Sequence, residues 1–386
     1  MTNRTTLLYT SYTIATAEEI LRRSHYVDIG GVLYVCYALL ALACCGACLK
    51  LALDVFDRRI PFKKLCVMIA GVVLFAFLIL RGQFDVVMIY WLFMCASWDC
   101  DFEKLVKLSA ITILATLAFV YISSFAGIID DTVSERMREE VTRNRNGVGF
   151  QEAYQAQYFL FFGHLSWFYW RRRKLTLYEI ISFIVVAGVI FWQTDTRGPF
   201  YLSCALTVIA IVLKLLPQLR KYQKLYTGVN VAMAPFCAAL ITFQSVFISP
   251  NTSEFWRDLN KKLTTRLQLN YSAVREYGFS LLGKPIVWTT GLKEEKYQYN
   301  WVDSVYLYSL LSYGIPFILG YFAVTTYLAT QASKKKDTFM VIALVLIAIL
   351  GIWDNYCFRL ECNPFYLFLA YAGTQHAEQY QEKLHS

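Results

Sequence analysis

One polar run, set near the end of an otherwise apolar chain, limits what this sequence can fold into. From Pro250 to Trp301 about fifty residues carry Arg257, Lys261, Lys262, Arg266, Arg275, Glu276, Lys284 and Glu294, a density of charge that hydrocarbon cannot hold. About eight apolar segments precede the run and two or three follow it, so it must fold as a loop on one face of a membrane protein. Transporters and flippases usually keep their connections short. A single large, mildly basic loop points instead to an enzyme working at the membrane surface. The chain divides accordingly into a helix bundle over 1–249, a loop domain over 250–303, and C-terminal spans with a tail over 304–386.

Composition supports the membrane reading. Hydrophobic residues make up 57% and charged residues 17%, where a soluble domain has about 25% charged. The apolar segments are Gly30–Leu53, Leu65–Leu80, Phe84–Trp98, Val106–Ile128, Ala153–Trp170, Tyr178–Trp192, Phe200–Leu216, Val229–Ile248, Ser304–Leu328, Phe339–Ile352 and Pro364–Ala372. The expected fold class is therefore all-α, a polytopic protein of about 11 transmembrane helices, with the second, third and last short for a full crossing. The start, Met1 to Ser24, lacks the continuous apolar core of a signal peptide. Its Thr- and Tyr-rich stretch, Thr5 to Leu21, reads either as an interfacial segment or as a half-inserted helix.

The net charge of +9 invites a nucleic-acid reading, but its distribution argues against one. Basic clusters fall at Arg58, Arg59, Lys63 and Lys64; at Arg171 to Lys174; at Lys214, Arg220, Lys221 and Lys224; and at Lys334 to Lys336. Counting spans puts every cluster on one side, which the positive-inside rule makes cytoplasmic. The large loop is then extracytoplasmic, and so is the N-terminus. Most cysteines lie in apolar segments as packing residues; Cys357 and Cys362 fall in an outer turn, where either a disulfide or free thiols fit. Cys44, Cys45 and Cys48 read as helix contacts in an apolar segment rather than ligands, and with only four histidines no second Cys or His pair completes a zinc pattern, so neither a metal site nor a cofactor is expected.

Arginine recurs on the outer face. Thr132-Val133-Ser134-Glu135 reads as a capping box opening a short helix with Arg136, Arg138, Arg143 and Arg145. Arg136 and Arg138 have acidic neighbours and suit a solvated surface, whereas Arg143 and Arg145 adjoin the Gly147-Val148-Gly149 turn at a membrane entry. Arg197 sits in the short turn Thr194-Asp195-Thr196-Arg197-Gly198-Pro199, where a cation is costly unless it has a task. Arg266 and Arg275 lie in the large loop and Arg359 in the last outer turn. Guanidinium groups contact phosphate oxygens in bidentate fashion at any pH, so a lipid-anchored diphosphate facing outward would suit them. Asp303 and Asp354 stand at the outer boundary, where each can pair with an arginine or serve as a base. Asp99-Cys100-Asp101 has the look of a metal-binding motif, but lies on the inner side among lysines and reads as an ordinary loop.

These elements resemble those of the Wzy-type polysaccharide polymerases, in the family shared with the O-antigen ligases. Arg143-Asn144-Arg145-Asn146-Gly147-Val148-Gly149-Phe150 is similar to that family's arginine followed by a Gly-Phe turn. Thr194-Asp195-Thr196-Arg197-Gly198 is similar to its Thr-x-Ser-Arg-Gly element, with Thr196 in place of serine. Leu263 to Arg266 with Phe279 to Gly283, and Val302 to Tyr306 with Ser312-Tyr313-Gly314, resemble its large-loop and following-span signatures; Gly351-Ile352 and Asn363-Pro364-Phe365 resemble its ending. The His-Pro-Asn-like run that often follows Gly-Phe is replaced by Gln151-Glu152-Ala153-Tyr154, and the large loop has no histidine, which counts against the ligase branch.

The resemblance implies an enzyme of the bacterial plasma membrane. It would join undecaprenyl-pyrophosphate-linked oligosaccharide units into a surface polysaccharide, with a flippase and a chain-length regulator as possible partners. Arg197, Arg266 and Asp303 are the expected catalytic residues; Arg143, Arg145 and Arg275 are expected to bind pyrophosphate. A ligase of the same fold is the alternative. A flippase is a second, against which the absence of an internal repeat counts.

Overall fold

The computed structural model describes residues 3–81, 87–138, 141–221, 223–289 and 300–367. Its elements run α1 (Asn3–Leu21), α2 (Val32–Phe56), α3 (Phe62–Leu80), α4 (Val87–Ala96), α5 (Phe102–Phe125), a hairpin of β1 (Val133–Arg138) and β2 (Val141–Asn146), α6 (Gln155–Arg171), α7 (Leu177–Thr194), α8 (Arg197–Leu215), α9 (Gln223–Phe247), α10 (Glu254–Lys262), α11 (Arg266–Tyr277), α12 (Val305–Ser312), α13 (Ile315–Lys334) and α14 (Thr338–Leu350). Among the described residues seven helices are long and apolar enough to cross a membrane: α2, α3, α5, α7, α8, α9 and α13. The chain is a polytopic, essentially all-helical membrane protein.

The middle of the bundle is α6. Nearly all its side chains are buried, including Phe159, Phe161, Phe162 and Phe168, as expected of a helix apolar on every side. It packs against α5, α7, α8 and α14. On the far flank α9 gathers α11, α12, α13 and α14. By contrast α2 and α3 present most of their surface outward, with exposed Val35, Leu42, Leu49, Val72 and Val73, a surface that only hydrocarbon or another apolar face can solvate.

Several expectations change. The segment from Leu65 was expected to be short for a crossing, yet α3 is 19 residues long because Phe62 to Lys64 join it. Within Ser304–Leu328 the chain breaks at Tyr313-Gly314 into α12 and α13. The last segment is described only as far as Leu367; residues 368–372 lie outside the described part. Thr5 to Leu21 is neither interfacial nor half-inserted. It forms the 19-residue α1, packed along α2 and α5 with Leu8, Tyr12, Ala15 and Ile20 fully buried. Some of its polar groups find partners inside the bundle: Tyr9 Oη accepts from Asp101 N at 3.0 Å, and Thr13 Oγ1 donates to Tyr9 O at 2.9 Å.

This helix also corrects the N-terminus. Arg4 donates to Leu53 O at 3.1 Å and to Asp57 Oδ2 at 2.5 Å, so α1 starts beside the end of α2, next to Arg58 and Arg59. The N-terminus therefore lies at the end of the bundle that holds the basic clusters, not opposite them. Asp99 and Asp101 are structural here. Asp99 pairs with Lys50, which also holds Asp54 at 2.7 Å, and Asp101 caps α5 by accepting from Lys104 N at 3.3 Å. At the same end Tyr169 Oη donates to Asp337 Oδ2 at 2.9 Å and Lys214 Nζ to Leu175 O at 2.7 Å.

The Thr132 capping box does not form. Thr132 Oγ1 is held by His25 Nε2 at 2.5 Å and Thr132 O accepts from Gly147 N at 2.8 Å. With its cap group engaged and its base closed, the segment folds as an antiparallel hairpin with Val133 opposite Asn146 and Arg136 opposite Arg143. The Gly147-Val148-Gly149 turn then docks on α5, and His25 N donates to Gly149 O at 3.0 Å.

Between α14 and Leu367 the chain turns back into the bundle without forming a long helix. Tyr356, Cys357, Leu360, Cys362 and Phe365 are buried, and both cysteines are free thiols. Tyr90 Oη donates to Asn363 O, and Asn363 Nδ2 to Cys357 O at 2.8 Å. Irregular backbone is stable at this depth because protein, not lipid, surrounds it.

Candidate functional site

At the end opposite the basic clusters, the hairpin, the α7–α8 turn, the polar loop and the α14 turn surround a cavity of about 750 Å³. Arg145, Arg197, Arg266, Arg359 and Lys262 line it, with Asp195, Asp303, Asp354 and Glu152. Four arginines from four separate stretches of chain thus share one space.

Local structure fixes each group. Asp195 ends α7 in the left-handed region at φ 44°, its N–H donating to Phe191 O at 2.8 Å; this reversal lets Thr196 start α8 in extended geometry. Arg145 reaches over from β2, its Nε donating to Thr194 O at 2.7 Å and its Nη2 to Thr196 Oγ1 at 3.1 Å. One arginine therefore satisfies the end of α7 while facing the cavity. Arg197 is the first residue of α8 and Arg266 the first of α11. A helix start carries unsatisfied N–H groups and the positive end of the macrodipole, so each adds to the guanidinium beside it as a binder of anions.

Gly198 explains how close the walls approach. A Cβ there would sit 2.6 Å from Trp353 Nε1, so only glycine admits the indole against the first turn of α8. The Arg197 side chain is 42% exposed, and among the described residues its ion-pair contact is to Asp195 Oδ1 at 4.0 Å. Arg266 is committed: its Nε donates to Asp303 Oδ2 at 2.5 Å. Arg359 lies over the Tyr356 ring at 4.7 Å, with Nη1 3.8 Å from the buried Glu361. Tyr356 stacks on Tyr158 at 4.6 Å, making with Trp301 and Trp353 an aromatic wall.

The two boundary carboxylates differ. Asp303 is held by Arg266, whereas Asp354 is 8% exposed and accepts from Tyr356 N at 3.1 Å. Burial, and then the charge of Asp303, push the Asp354 carboxyl up from 3.8 to about 7, against the pull of Tyr158 and Arg266.

Of the residues expected from sequence, Arg145, Arg197, Arg266 and Asp303 meet at the cavity. Arg275 does not. It sits near the far end of α11, over Tyr271 at 5.1 Å, with Nη2 3.4 Å from Val246 O; its expected role in binding pyrophosphate at this site is corrected. Arg143 lies two residues from Arg145 on β2, on the same strand face, but its side chain falls outside the described residues. Lys262, Tyr154 and Tyr158 line the cavity without having been singled out; their side chains meet only through the fold. Among the described residues no group of three or more His, Cys, Asp or Glu side chains is arranged to hold a metal ion. Compared with known families, curated proteins and solved structures, the chain matches none.

Proposed function

We propose that the protein is a glycan polymerase of the bacterial plasma membrane, joining oligosaccharide units carried on polyprenyl diphosphate at the outer leaflet. One observation supports this reading above the others: Arg145, Arg197, Arg266 and Arg359 converge on a cavity at the end opposite the basic clusters. The positive-inside rule assigns those clusters to the cytoplasm, so the cavity and the 250–303 loop face outward.

A diphosphate leaving group needs cations as its charge develops, and pre-placed guanidiniums supply them without reorganisation. The acceptor hydroxyl oxygen attacks the anomeric carbon. The bond from that carbon to the diphosphate oxygen breaks, and its electron pair leaves with the lipid diphosphate. In this reading Arg197 and Arg145 hold the diphosphate, and Asp303 keeps Arg266 oriented. Asp354 accepts the hydroxyl proton, a task suited to a carboxyl poised near neutrality. The aromatic wall offers flat apolar faces to sugar rings.

The test is a deletion strain complemented with wild-type or Arg197→Ala protein, with surface glycan resolved by length. Single repeat units in the deletion strain and full chains on wild-type complementation are expected. Normal chains in the deletion strain would remove the reading.

A further inference from the structure

The polar loop does not stand clear of the bundle. Its second helix, α11, is tied at both ends to the last turn of α9: Gln244 Nε2 donates to Leu267 O at 3.3 Å, and Arg275 Nη2 donates to Val246 O at 3.4 Å. That turn belongs to a span, and its Phe243 and Phe247 are exposed. Large apolar side chains left open on a span face hydrocarbon, so α11 sits at the level where hydrocarbon gives way to headgroups.

The first helix of the loop, α10, is fastened to α11 at this level. Thr264 and Thr265 turn the chain between the two helices, both in the left-handed region at φ 55° and 64°. A β-branched residue keeps that conformation only where its surroundings hold it. Here Asn260 holds it: its carbonyl accepts from Thr265 N at 2.9 Å and its Oδ1 from Gln268 N at 3.1 Å. The roll of α10 about its own axis is thereby fixed. Phe255, Trp256 and Leu259 share one side by helical spacing, and Glu254, Arg257 and Lys261 share the opposite one. The Phe255 ring, 5.1 Å from that of Trp256, is nevertheless 66% exposed.

We infer that α10 is an interfacial helix, seated by its Phe255 edge in the phospholipid surface on the cavity side of the membrane. The inference goes beyond the proposed function and holds whatever substrate the cavity takes. Continuity with the lipid-facing spans selects this partner. Besides the tie to α9, Arg81 at the end of α3 donates from Nη1 to Leu282 O at 2.6 Å, which brings the exposed Leu281 and Leu282 of the loop to the exposed Leu80 of another span. Charge agrees: Arg257, Lys261 and Lys262 outnumber Glu254 and Asp258 on α10, as suits phosphate headgroups. Tryptophan beside phenylalanine is also a pairing that the interface favours. A protein partner fits less well. Three apolar side chains fall short of the roughly 800 Å² per partner that a stable protein interface buries, whereas a chain already held by its spans needs no such minimum to touch lipid. Lys262, Thr264 and Thr265 line the arginine cavity, so the seating of α10 sets one wall of that cavity at headgroup level.

The experiment uses the full-length protein in phosphatidylglycerol-containing nanodiscs, with trifluoromethylphenylalanine in place of Phe255 or, for comparison, of Arg257. Both positions are exposed, and the native cysteines stay in place. Fluorine relaxation is measured with dissolved oxygen, which concentrates in lipid, and with a gadolinium chelate, which stays in water. The ratio of the oxygen effect to the chelate effect should be several-fold higher at position 255 than at 257. Equal ratios, or a stronger chelate effect at 255, would put the Phe255 edge in water and overturn the inference. Shielding of the 255 probe from both agents would mean that protein covers it, and would overturn the inference equally.

Discussion

Arg266 Nε donates to Asp303 Oδ2 at 2.5 Å, and this contact joins the start of α11 to the residues entering α12 across 37 positions of sequence. It ties the start of α11 to the wall of the cavity and fixes the guanidinium against a carboxylate. Removing either side leaves the other a half-buried charge. Asp303→Asn should therefore cost both glycan length and thermal stability, whereas the paired Arg266→Gln, Asp303→Asn variant should recover stability alone. Melting curves and glycan profiles on the same preparations separate the two effects. Recovery of glycan length in the double variant would assign the pair a purely structural role.

Arg197 has weaker ties and is the better probe of chemistry. A charge-assisted contact to a diphosphate is worth roughly 1.5–3 kcal/mol, so Arg197→Ala should slow polymerisation by about ten- to a hundredfold. Lysine should rescue only part of this, since a point charge replaces a planar fork. Initial rates on lipid-linked repeats at matched protein level provide the check; a wild-type rate for alanine would reduce Arg197 to a surface anchor.

Asp354 makes the activity and the stability move in opposite directions with pH. As a base it works deprotonated, so polymerisation should rise as pH passes upward through about 7. Its folded carboxyl binds a proton more tightly than the unfolded one does. Its contribution to stability is therefore complete below the unfolded value of 3.8 and lost as pH climbs to about 7. The groups facing it include Asp303, Arg266, Tyr158, Tyr154, Tyr356, Cys357 and Cys362, of which Asp303 is the other carboxyl. Asp354→Asn should flatten the stability slope over that interval and abolish turnover without weakening diphosphate binding. A neutral limb that survives in Asp354→Asn would move the proton acceptor elsewhere.

Single cysteines introduced into a background freed of native ones map the faces. Thr252→Cys, in the polar loop, should react with an impermeant thiol reagent in intact cells, and Thr5→Cys and Lys335→Cys only after lysis. Reaction of Thr5→Cys in intact cells would contradict the pairing of Arg4 with the end of α2.

Gly283 and Gly314 should tolerate nothing larger. Each has φ in the left-handed region, and a Cβ on Gly283 would fall 2.1 Å from Ser312 O, while one on Gly314 would meet Gly283 N at 2.4 Å. This contact seats the loop on the α12–α13 break, where Lys284 N donates to Leu311 O and Ile315 N to Leu281 O. Gly283→Ala should lose roughly 1–3 kcal/mol by overpacking and strain, read as a lowered melting temperature.

Much of this architecture is written in hydropathy. The spans from α2 onward follow apolar runs, and the arginines at 145, 197 and 266 stand out because a cation in a short turn or beside a membrane entry needs a reason. The α1 helix is hidden because its Tyr, Thr and Glu content lowers its hydropathy, while the contacts that bury it, such as Tyr9 with Asp101 over ninety positions later, leave no local pattern. The hairpin was misread as a helix because Thr132 and Glu135 have capping spacing, and only His25, over a hundred positions earlier, takes the Thr132 hydroxyl away. Arg275 was grouped with Arg266 by loop membership, yet nine residues of helix carry it to the other end of α11.

The inward-turning segment after α14 bears on how the protein is made. Cys357 to Leu367 contains Arg359, Glu361 and Asn363 and no helix of spanning length, so a translocon has no reason to release it into lipid by itself. Its carbonyls and side chains find their partners on Tyr90, Arg23 and Tyr321, residues synthesised long before it. This segment can therefore settle only once the segments carrying Tyr90, Arg23 and Tyr321 are in place, which makes closure of the candidate site wait on packing of the bundle around it.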